Sequence, residues 1–318
     1  MAATQPGAGR RLEQLHVAVV GAGRIGAELM RNLGLMGVGR IDVYEIDRDT
    51  ADPLRSRYAV FDGDFWDELT LARLQSYDFA VCTIDDRAAR VRLNQKCLVA
   101  NVNLLQVWTE GSLAVVGAYP FGALPDCACF ECDSKRGATP MPIAALRLSV
   151  AEARGGATPA TDVATASVAG ALGAALIARV AAAAHGSVAR RATLDATLGQ
   201  GTSVELQRDP DCTRCRALER PVPIVQTRNR WSPSSALART CPEALDQSVR
   251  LSDEVEGFPD GACRIGQLVE RFQGGPIPAK FALAEVGART ICLDFEELRP
   301  EAPGAAATRS AVQRRPSN

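Results

Sequence analysis

The sequence predicts an α/β fold, a Rossmann-like, doubly wound and mostly parallel sheet followed by a small C-terminal unit. The apolar run at residues 16–20 leads directly into a glycine-rich turn and then into a helical pattern. Apolar runs and helical patterns go on alternating as far as residue 117. This alternation is typical of a parallel sheet covered by helices. Ligands of such folds bind where the strands end, so functional residues are expected there.

The elements follow from local patterns. A strand at 16–20, a helix at 27–36 and a strand at 40–46 form a βαβ unit. After these, the predicted elements are a short helix at 67–74, a strand at 79–83, a helix at 87–100 and strands at 103–107, 112–117 and 192–198. We expect residues 1–14 and 300–318 to be disordered, 15–235 to form the nucleotide-binding domain and 236–299 to form the C-terminal unit.

Composition excludes some partners. The 318 residues include 36 Lys and Arg against 37 Asp and Glu, so the chain has no basic footprint for nucleic acid or an anionic membrane. The N-terminus has no apolar signal segment, and a cytoplasmic location is expected. Residues 163–184 carry one charge, Arg179, but their Ala and Gly content predicts a buried, closely packed helix rather than a membrane span.

The glycine-rich turn contains Gly21, Gly23 and Gly26, with Arg24 between them. Glycines permit a tight turn, and the amides at a helix N-terminus attract phosphate. Glu45 and Asp47 follow the next strand, where a carboxylate can accept hydrogen bonds from ribose hydroxyls. This pattern predicts a nucleotide site, and by itself it fits NAD as well as ATP.

Four of the ten cysteines form two CxxC pairs, Cys129 with Cys132 and Cys212 with Cys215. Two such pairs complete a tetrahedral four-thiolate site, which predicts a structural Zn²⁺ with no open coordination position. The alternatives are a redox dithiol or unrelated thiols.

These motifs together resemble the ThiF/MoeB/HesA superfamily, relatives of ubiquitin-activating enzymes. The resemblance covers roughly residues 15–217, and its carriers are GAGRIG at 21–26, VYEID at 43–47, CTIDDRAARVRLN at 82–94, EGSLAVVGAYP at 110–120 and the two cysteine pairs. It implies a homodimer that uses ATP and Mg²⁺ to adenylate a carboxylate of a peptide or a small carrier protein, as in peptide modification or sulfur-carrier activation.

The resemblance also implies roles for single residues. Gly21, Gly23 and Gly26 would hold phosphates and Asp47 the ribose. Arg55 or Arg57 would contact the phosphates. Asp85 would bind Mg²⁺, with an ordinary helix cap as its alternative role; Asp86 could instead cap the helix while Asp85 faces the ligand.

Departures from the family pattern keep two other functions open. Lysine occurs only at Lys96, Lys135 and Lys280, so none lies between Arg57 and Asp85, where family members usually have one. No cysteine lies between Asp133 and Asp211, so thioester chemistry is not expected there. One alternative is a degenerate relative that binds a peptide or partner without ATP chemistry, and another is an NAD(P)-dependent oxidoreductase.

The segment after the second cysteine pair is rich in arginine. It is either a solvated loop or a surface that attracts an acidic peptide or carrier protein. Its arginines are Arg214, Arg216, Arg220, Arg228 and Arg230.

Overall fold

A computed structural model describes residues 11–124, 126–135, 163–183, 188–212, 214–215, 218, 221–227, 246–258, 261–272, 277–286 and 289–296. The main sheet has eight strands. They are β1 (His16–Val20), β2 (Arg40–Glu45), β3 (Ala59–Asp62), β4 (Phe79–Cys82), β5 (Asn103–Glu110), β6 (Leu113–Tyr119), β7 (Arg190–Asp195) and β8 (Gly201–Glu205).

The strand order of this sheet is β3-β2-β1-β4-β5-β6-β7-β8. The strands from β3 to β5 pair in parallel, whereas β6, β7 and β8 join by antiparallel pairing. The mostly parallel α/β fold predicted from the sequence is therefore confirmed.

Helices cover both faces of the sheet. They are α1 (Arg24–Leu35), α2 (Arg48–Ala51), α3 (Phe65–Glu68), α4 (Leu71–Leu74), α5 (Arg87–Ala100), α6 (Phe130–Lys135) and α7 (Val163–Ala182). Helices α1 and α7 share one apolar core with the sheet, and α5 belongs to the core on the opposite face. The sheet thus separates the helix that follows the glycine turn from the helix that follows β4.

Several local predictions need correction. The strand predicted at 192–198 is β7, which ends at Asp195, and β8 was not predicted. The single helix predicted at 67–74 is two short helices, because Asp64 caps the first and Thr70 begins the second by accepting the amide of Arg73. Strand β3 was not predicted: it is a four-residue edge strand with three half-buried positions, and so it lacks a clear apolar run.

Helix α7 is long and apolar enough to cross a membrane by length and composition alone. It lies instead against α1, β5 and β6. A Cβ atom on Gly170 would come within 2.7 Å of the Leu29 amide nitrogen, so the α1 and α7 backbones nearly touch. The predicted close packing of this Ala- and Gly-rich helix is confirmed.

A second sheet follows, with its own apolar core. Its elements are β9 (Ile224–Gln226), β10 (Ser248–Leu251), β11 (Ala262–Arg264), helix α8 (Ile265–Arg271), β12 (Phe281–Val286) and β13 (Arg289–Asp294), in the strand order β11-β10-β12-β13-β9. Strand β9 precedes residue 236, where the sequence suggested that the C-terminal unit begins, yet it pairs with β13. The second sheet therefore draws on chain from both sides of that position.

Candidate functional site

Four parallel strands end at one level of the main sheet. Val20 pairs with Tyr44 and with Cys82, and Tyr44 pairs with Phe61. The residues that come next along each strand therefore stand side by side at one edge: Gly21, Glu45, Asp62 and Thr83. This is the edge at which parallel α/β folds bind ligands.

The glycine turn is sterically tight at two positions. Gly21 has φ +93°, a conformation that favours glycine. A Cβ on Gly26 would lie 2.2 Å from the Gly21 carbonyl oxygen, so only glycine lets α1 approach the turn. Gly23 is different, because nothing lies within 4 Å of its Cβ position. That open side is the place where an anion could approach the turn.

The N-terminus of α1 is suited to an anion. Gly23 is the N-cap residue, and no side chain caps the helix there. Arg24, the first residue of α1, is exposed and adds a positive charge. The partial positive charge of the helix end and its unsatisfied amides favour phosphate at this position.

Glu45 holds the glycine turn from the neighbouring strand. One of its carboxylate oxygens accepts the Ala22 amide at 2.6 Å, and the other accepts the Asp47 amide at 2.9 Å. Asp47 caps α2 by accepting hydrogen bonds from the Asp49 amide and the Thr50 hydroxyl. Of the two carboxylates predicted to bind ribose, Glu45 contacts the glycine turn, whereas Asp47 caps the following helix.

Asp85 and Asp86 have separate roles at the start of α5. Asp86 caps the helix, accepting the amides of Ala88 and Ala89. Asp85 has a 70% exposed side chain and receives a 2.9 Å hydrogen bond from the Arg90 guanidinium. The predicted magnesium ligand therefore faces solvent and forms an ion pair with Arg90.

Neither predicted phosphate-binding arginine contacts Asp85. Arg55 is tied to the edge of the sheet by ion pairs with Asp52 and Asp62. The Arg57 side chain is exposed and forms no hydrogen bond or ion pair within the described ranges. Strands β3 and β4 are separated by two strands, so about 14 Å lies between them.

Two of the three lysines lie away from the glycine turn. The Lys96 ammonium is buried and donates to the carbonyls of Trp66 and Leu69 and to Glu296. Lys280 pairs with Asp67. Because both are engaged at the junction with the second sheet, neither places its ammonium group at the glycine turn.

Two residues at this edge were not among the predicted site residues. The Thr83 hydroxyl donates to the Gly21 carbonyl at 2.7 Å and fixes the turn to the end of β4. Arg90 holds Asp85 and lies 4.9 Å from the centre of the Trp108 ring. Thr83 could have been found as the first polar residue after a buried strand, but nothing local in the sequence pairs Arg90 with Asp85.

The two cysteine pairs meet in one buried cluster. The Sγ atoms of Cys129 and Cys132 are 3.7 Å apart, those of Cys129 and Cys212 are 3.7 Å apart, and those of Cys132 and Cys215 are 3.4 Å apart. All four sulfur atoms lie within 4.8 Å of one another. A tetrahedral zinc with bonds of about 2.3 Å requires sulfur separations of about 3.8 Å. The cluster therefore fits a structural zinc ion.

The pKa values of the four cysteines shift in opposite directions. A hydrogen bond with Cys129 is the largest cause that lowers the pKa of Cys132 and of Cys212, whereas the pKa values of Cys129 and Cys215 are raised. Cys132 and Cys212 are therefore the two that favour the thiolate form. The Asp209 amide also donates to the sulfur of Cys132. Thiolate is the form that binds metal.

Ion pairs on both sides hold the cluster in place. Arg214, next to Cys215, pairs with Glu131, and Asp133, next to Cys132, pairs with Arg191 on β7 at 2.8 Å. Of the arginine-rich segment noted in the sequence, Arg214 is described; Arg216, Arg220, Arg228 and Arg230 lie outside the described residues.

Fold and site together define a Rossmann-like α/β protein with a glycine turn at a helix N-terminus and a four-cysteine cluster that fits a structural zinc ion. A model of the ThiF family matches residues 2–54, which include β1, the turn and β2. The SUMO-activating enzyme subunit uba-2 of Caenorhabditis elegans is 25% identical over 154 residues, 39% of this chain. The chain spans about a quarter of that protein, 26% of its length.

Solved structures share the fold. The crystal structure of E. coli MccB with AMPCPP and MccA superposes with a TM-score of 0.51 at 19% identity, over 65% of this chain and 67% of that one. A structure of E. coli MccB with ATP gives 0.49 at 18% identity, over 64% and 68%. The similarity to the ThiF family thus covers the first βαβ unit, and the MccB structure with AMPCPP shares the fold over 65% of this chain.

Proposed function

We propose that the protein adenylates a carboxylate of a peptide or carrier protein with ATP. The observation that carries the proposal is the alignment of the strand ends, which places the glycine turn between Glu45 and the start of α5. In the reaction, a carboxylate oxygen attacks the α-phosphorus, an acyl–phosphate bond forms, and the bond to pyrophosphate breaks. Pyrophosphate leaves with the electron pair, and no oxidant or reductant is needed.

Each part of the site has a role in this proposal. The turn from Gly21 to Gly26 and the N-terminus of α1 hold the phosphates, and Glu45, with Asp47 beside it, faces the ribose. Asp85 would hold Mg²⁺, which supplies charge neutralisation on the phosphates. Arg90 keeps the Asp85 carboxylate oriented through one oxygen, so its exposed second oxygen can reach the ligand. Arg55 and Arg57 remain proposed phosphate contacts.

ATP–pyrophosphate exchange with candidate carboxylate peptides tests the activity, and calorimetry tests ATP binding. The Asp85→Asn variant should lose exchange, whereas the matched surface variant Glu13→Gln should keep it. Absence of both exchange and ATP binding would overturn the proposal. A melting temperature raised by NAD and not by ATP would favour the oxidoreductase alternative.

A second candidate function is a relative that binds a peptide or partner without ATP chemistry. The ion pair of Asp85 with Arg90 and the engagement of Lys96 and Lys280 elsewhere favour it. In this case the wild-type protein binds its peptide and shows no ATP binding, and Asp85→Asn changes neither result.

The proposal includes a structural zinc at the four cysteines and a homodimer. The exposed edge strand β8 supports the homodimer, because all five of its residues are exposed and it pairs only with β7 in the main sheet. Light scattering during gel filtration gives the oligomeric state, and a monomer at micromolar concentration would contradict it.

A further inference from the structure

A groove runs along α5 between the main sheet and the second sheet. Its outer part is a cleft of about 1020 Å³ that starts at Asp86 and Arg87, next to the proposed magnesium ligand. Its inner part is a cavity of about 260 Å³ under β10 and β12. Gln95, Arg214, Arg250, Leu251 and Ser252 line both parts, so the two are continuous.

One face of α5 forms a wall of the groove along almost its whole length. The residues that line it recur every three or four positions, which is the spacing of one helix face. They are Ala88, Val91, Arg92, Gln95, Leu98 and Val99. The wall therefore leads from the nucleotide edge directly to the inner cavity.

The outer and inner parts differ in chemistry. Four arginines line the outer cleft: Arg87, Arg92, Arg214 and Arg250. It also has three carboxylates: Asp86 accepts amides of α5, Asp253 accepts the Trp66 indole and the Lys280 amide, and Glu254 is exposed. The inner cavity is mainly apolar, with Leu218, Val249, Phe281 and Leu283 among its lining residues. Such a groove suits an acidic chain that carries one apolar side chain.

The length of the groove sets the register of that chain. Arg87 and Val99 are twelve helical steps apart in α5, about 18 Å at ~1.5 Å per residue. An extended chain covers this distance in about five or six residues at ~3.3 Å each.

We propose that the groove binds an acidic peptide segment in extended form, with its C-terminal carboxylate at the start of α5. The inner cavity then selects an apolar side chain about five residues before that carboxylate. This inference rests on the proposed function, because adenylation determines which end of the groove receives the carboxylate. The substrate would then be a C-terminal peptide segment that has acidic residues and one apolar side chain bound in the inner cavity.

A library of random octapeptides with free carboxyl termini, screened without nucleotide against the full chain, tests the inference. Wild-type protein should enrich an apolar residue about five positions before the terminus and acidic residues after it. The selected peptide is then labelled, and its affinity is measured by fluorescence polarisation. A selection without positional preference would overturn the inference.

Two variants with matched controls locate the binding. Ala262 lines the cavity from an exposed position on β11, so Ala262→Trp fills the cavity at little risk to folding. We expect it to remove the apolar preference and to weaken binding about tenfold or more. Leu35→Trp, at the exposed C-terminal end of α1 on the other face of the sheet, should leave binding unchanged.

Arg92→Glu tests the charge of the outer cleft, since Arg92 is exposed on α5. It should reduce the preference for acidic residues, whereas Arg31→Glu, on α1 at the other face of the sheet, should not. Full affinity in both Ala262→Trp and Arg92→Glu would overturn the inference. ATP binding is measured separately. If peptides show the positional preference and the protein does not bind ATP, the groove proposal holds and the adenylation proposal fails.

Discussion

The Lys96 ammonium donates a 2.7 Å hydrogen bond to the Glu296 carboxylate in a fully buried ion pair that joins α5 to the chain after β13. The second oxygen of Glu296 accepts the Leu71 amide at 2.7 Å. Trp66 adds a third link, because its indole donates to Asp253. The most buried of the lysines in the described segments therefore fixes the wall of the groove to the second sheet, rather than acting on a nucleotide.

Lys96→Met should strongly destabilise the protein. It leaves Glu296 charged and buried without its cation, which typically costs about 3–5 kcal/mol. Lys280→Met breaks a more exposed pair with Asp67 and should cost less than about 1 kcal/mol. Urea unfolding measures both. Adding Glu296→Gln to Lys96→Met should recover part of the loss; equal stability of the two single variants would contradict the structural role of Lys96.

Cys212→Ser should lose the bound metal. It removes one of four thiolates from a closed site, and metal binding contributes folding free energy directly. Zinc content by elemental analysis should fall from about one ion per chain to a small fraction. Cys127→Ser changes a buried cysteine outside the cluster and should keep its zinc. Unchanged zinc content in Cys212→Ser would rule out the assigned ligand set.

The adjacent carboxylates at the start of α5 should respond differently to substitution. Asp86→Ala removes the cap of α5 and should lower the free energy of unfolding by ~1 kcal/mol. Asp85→Ala removes the exposed partner of Arg90, but the Arg90 guanidinium still donates to the Ile84 carbonyl and contacts the Trp108 ring, so this variant should cost less stability. Asp85→Ala should nevertheless weaken Mg²⁺-dependent ATP binding by roughly tenfold or more, as titration calorimetry would show. Identical effects of the two variants on nucleotide binding would argue against a ligand role for Asp85.

Substitutions at two glycines of the turn should also have different effects, one on stability and the other on ATP binding. Gly26→Ala places a methyl group 2.2 Å from the Gly21 carbonyl, and overpacking of this kind costs roughly 1–3 kcal/mol or more. Gly23→Ala meets no atom within 4 Å and should fold normally. If Gly23 faces the phosphates, its variant should still bind ATP more weakly. Thermal melting separates the two effects, and a stable Gly26→Ala protein would show that α1 can move away from the turn.

Asp294 should make stability depend on pH. Burial, its largest cause, raises the pKa of Asp294 to about 6, whereas an unfolded aspartate titrates near 3.9. The folded state binds the proton more tightly than the unfolded state. Ionisation of this group therefore lowers the free energy of unfolding as pH rises from about 4 to 6, and the loss stays constant above pH 6. Asp294→Asn keeps an acceptor for the Glu296 amide and should be more stable than wild type at pH 7.5. That advantage should shrink toward pH 4.5 in urea titrations; a difference independent of pH would exclude Asp294 as the titrating group.

Local signals in the sequence predicted the unit from β1 to β2 because each element there carries its own pattern. The apolar run, the glycines and the helical periodicity are contiguous in residues 16–46. The clustering of the four cysteines was also predictable, since two CxxC spacings indicate a common centre although 83 residues separate Cys129 from Cys212. Contacts without a local pattern were not predictable. Glu296 is 200 residues from Lys96, and no periodicity connects them.

The site shows the same division between local and distant information. The sequence left open whether Asp85 or Asp86 caps α5, and the structure shows that Asp86 is the cap. The choice between Glu45 and Asp47 depended on side-chain direction at the end of β2, which the alternation of a strand does not determine beyond its last residue. The second sheet forms the other wall of the groove along α5. The groove could therefore not be predicted from any single segment of the sequence.

The close approach of Gly170 to the backbone of α1 gives α7 an influence on chemistry that it never touches. Residue 170 acts as a spacer: any side chain larger than hydrogen pushes α1 away at Leu29. Displacement of α1 shifts its N-terminus, which carries the glycine turn, relative to Thr83 and Glu45. Under the proposed function, the conservative exchange Gly170→Ala is therefore expected to weaken ATP binding, although residue 170 lies in a helix that does not contribute to the glycine turn.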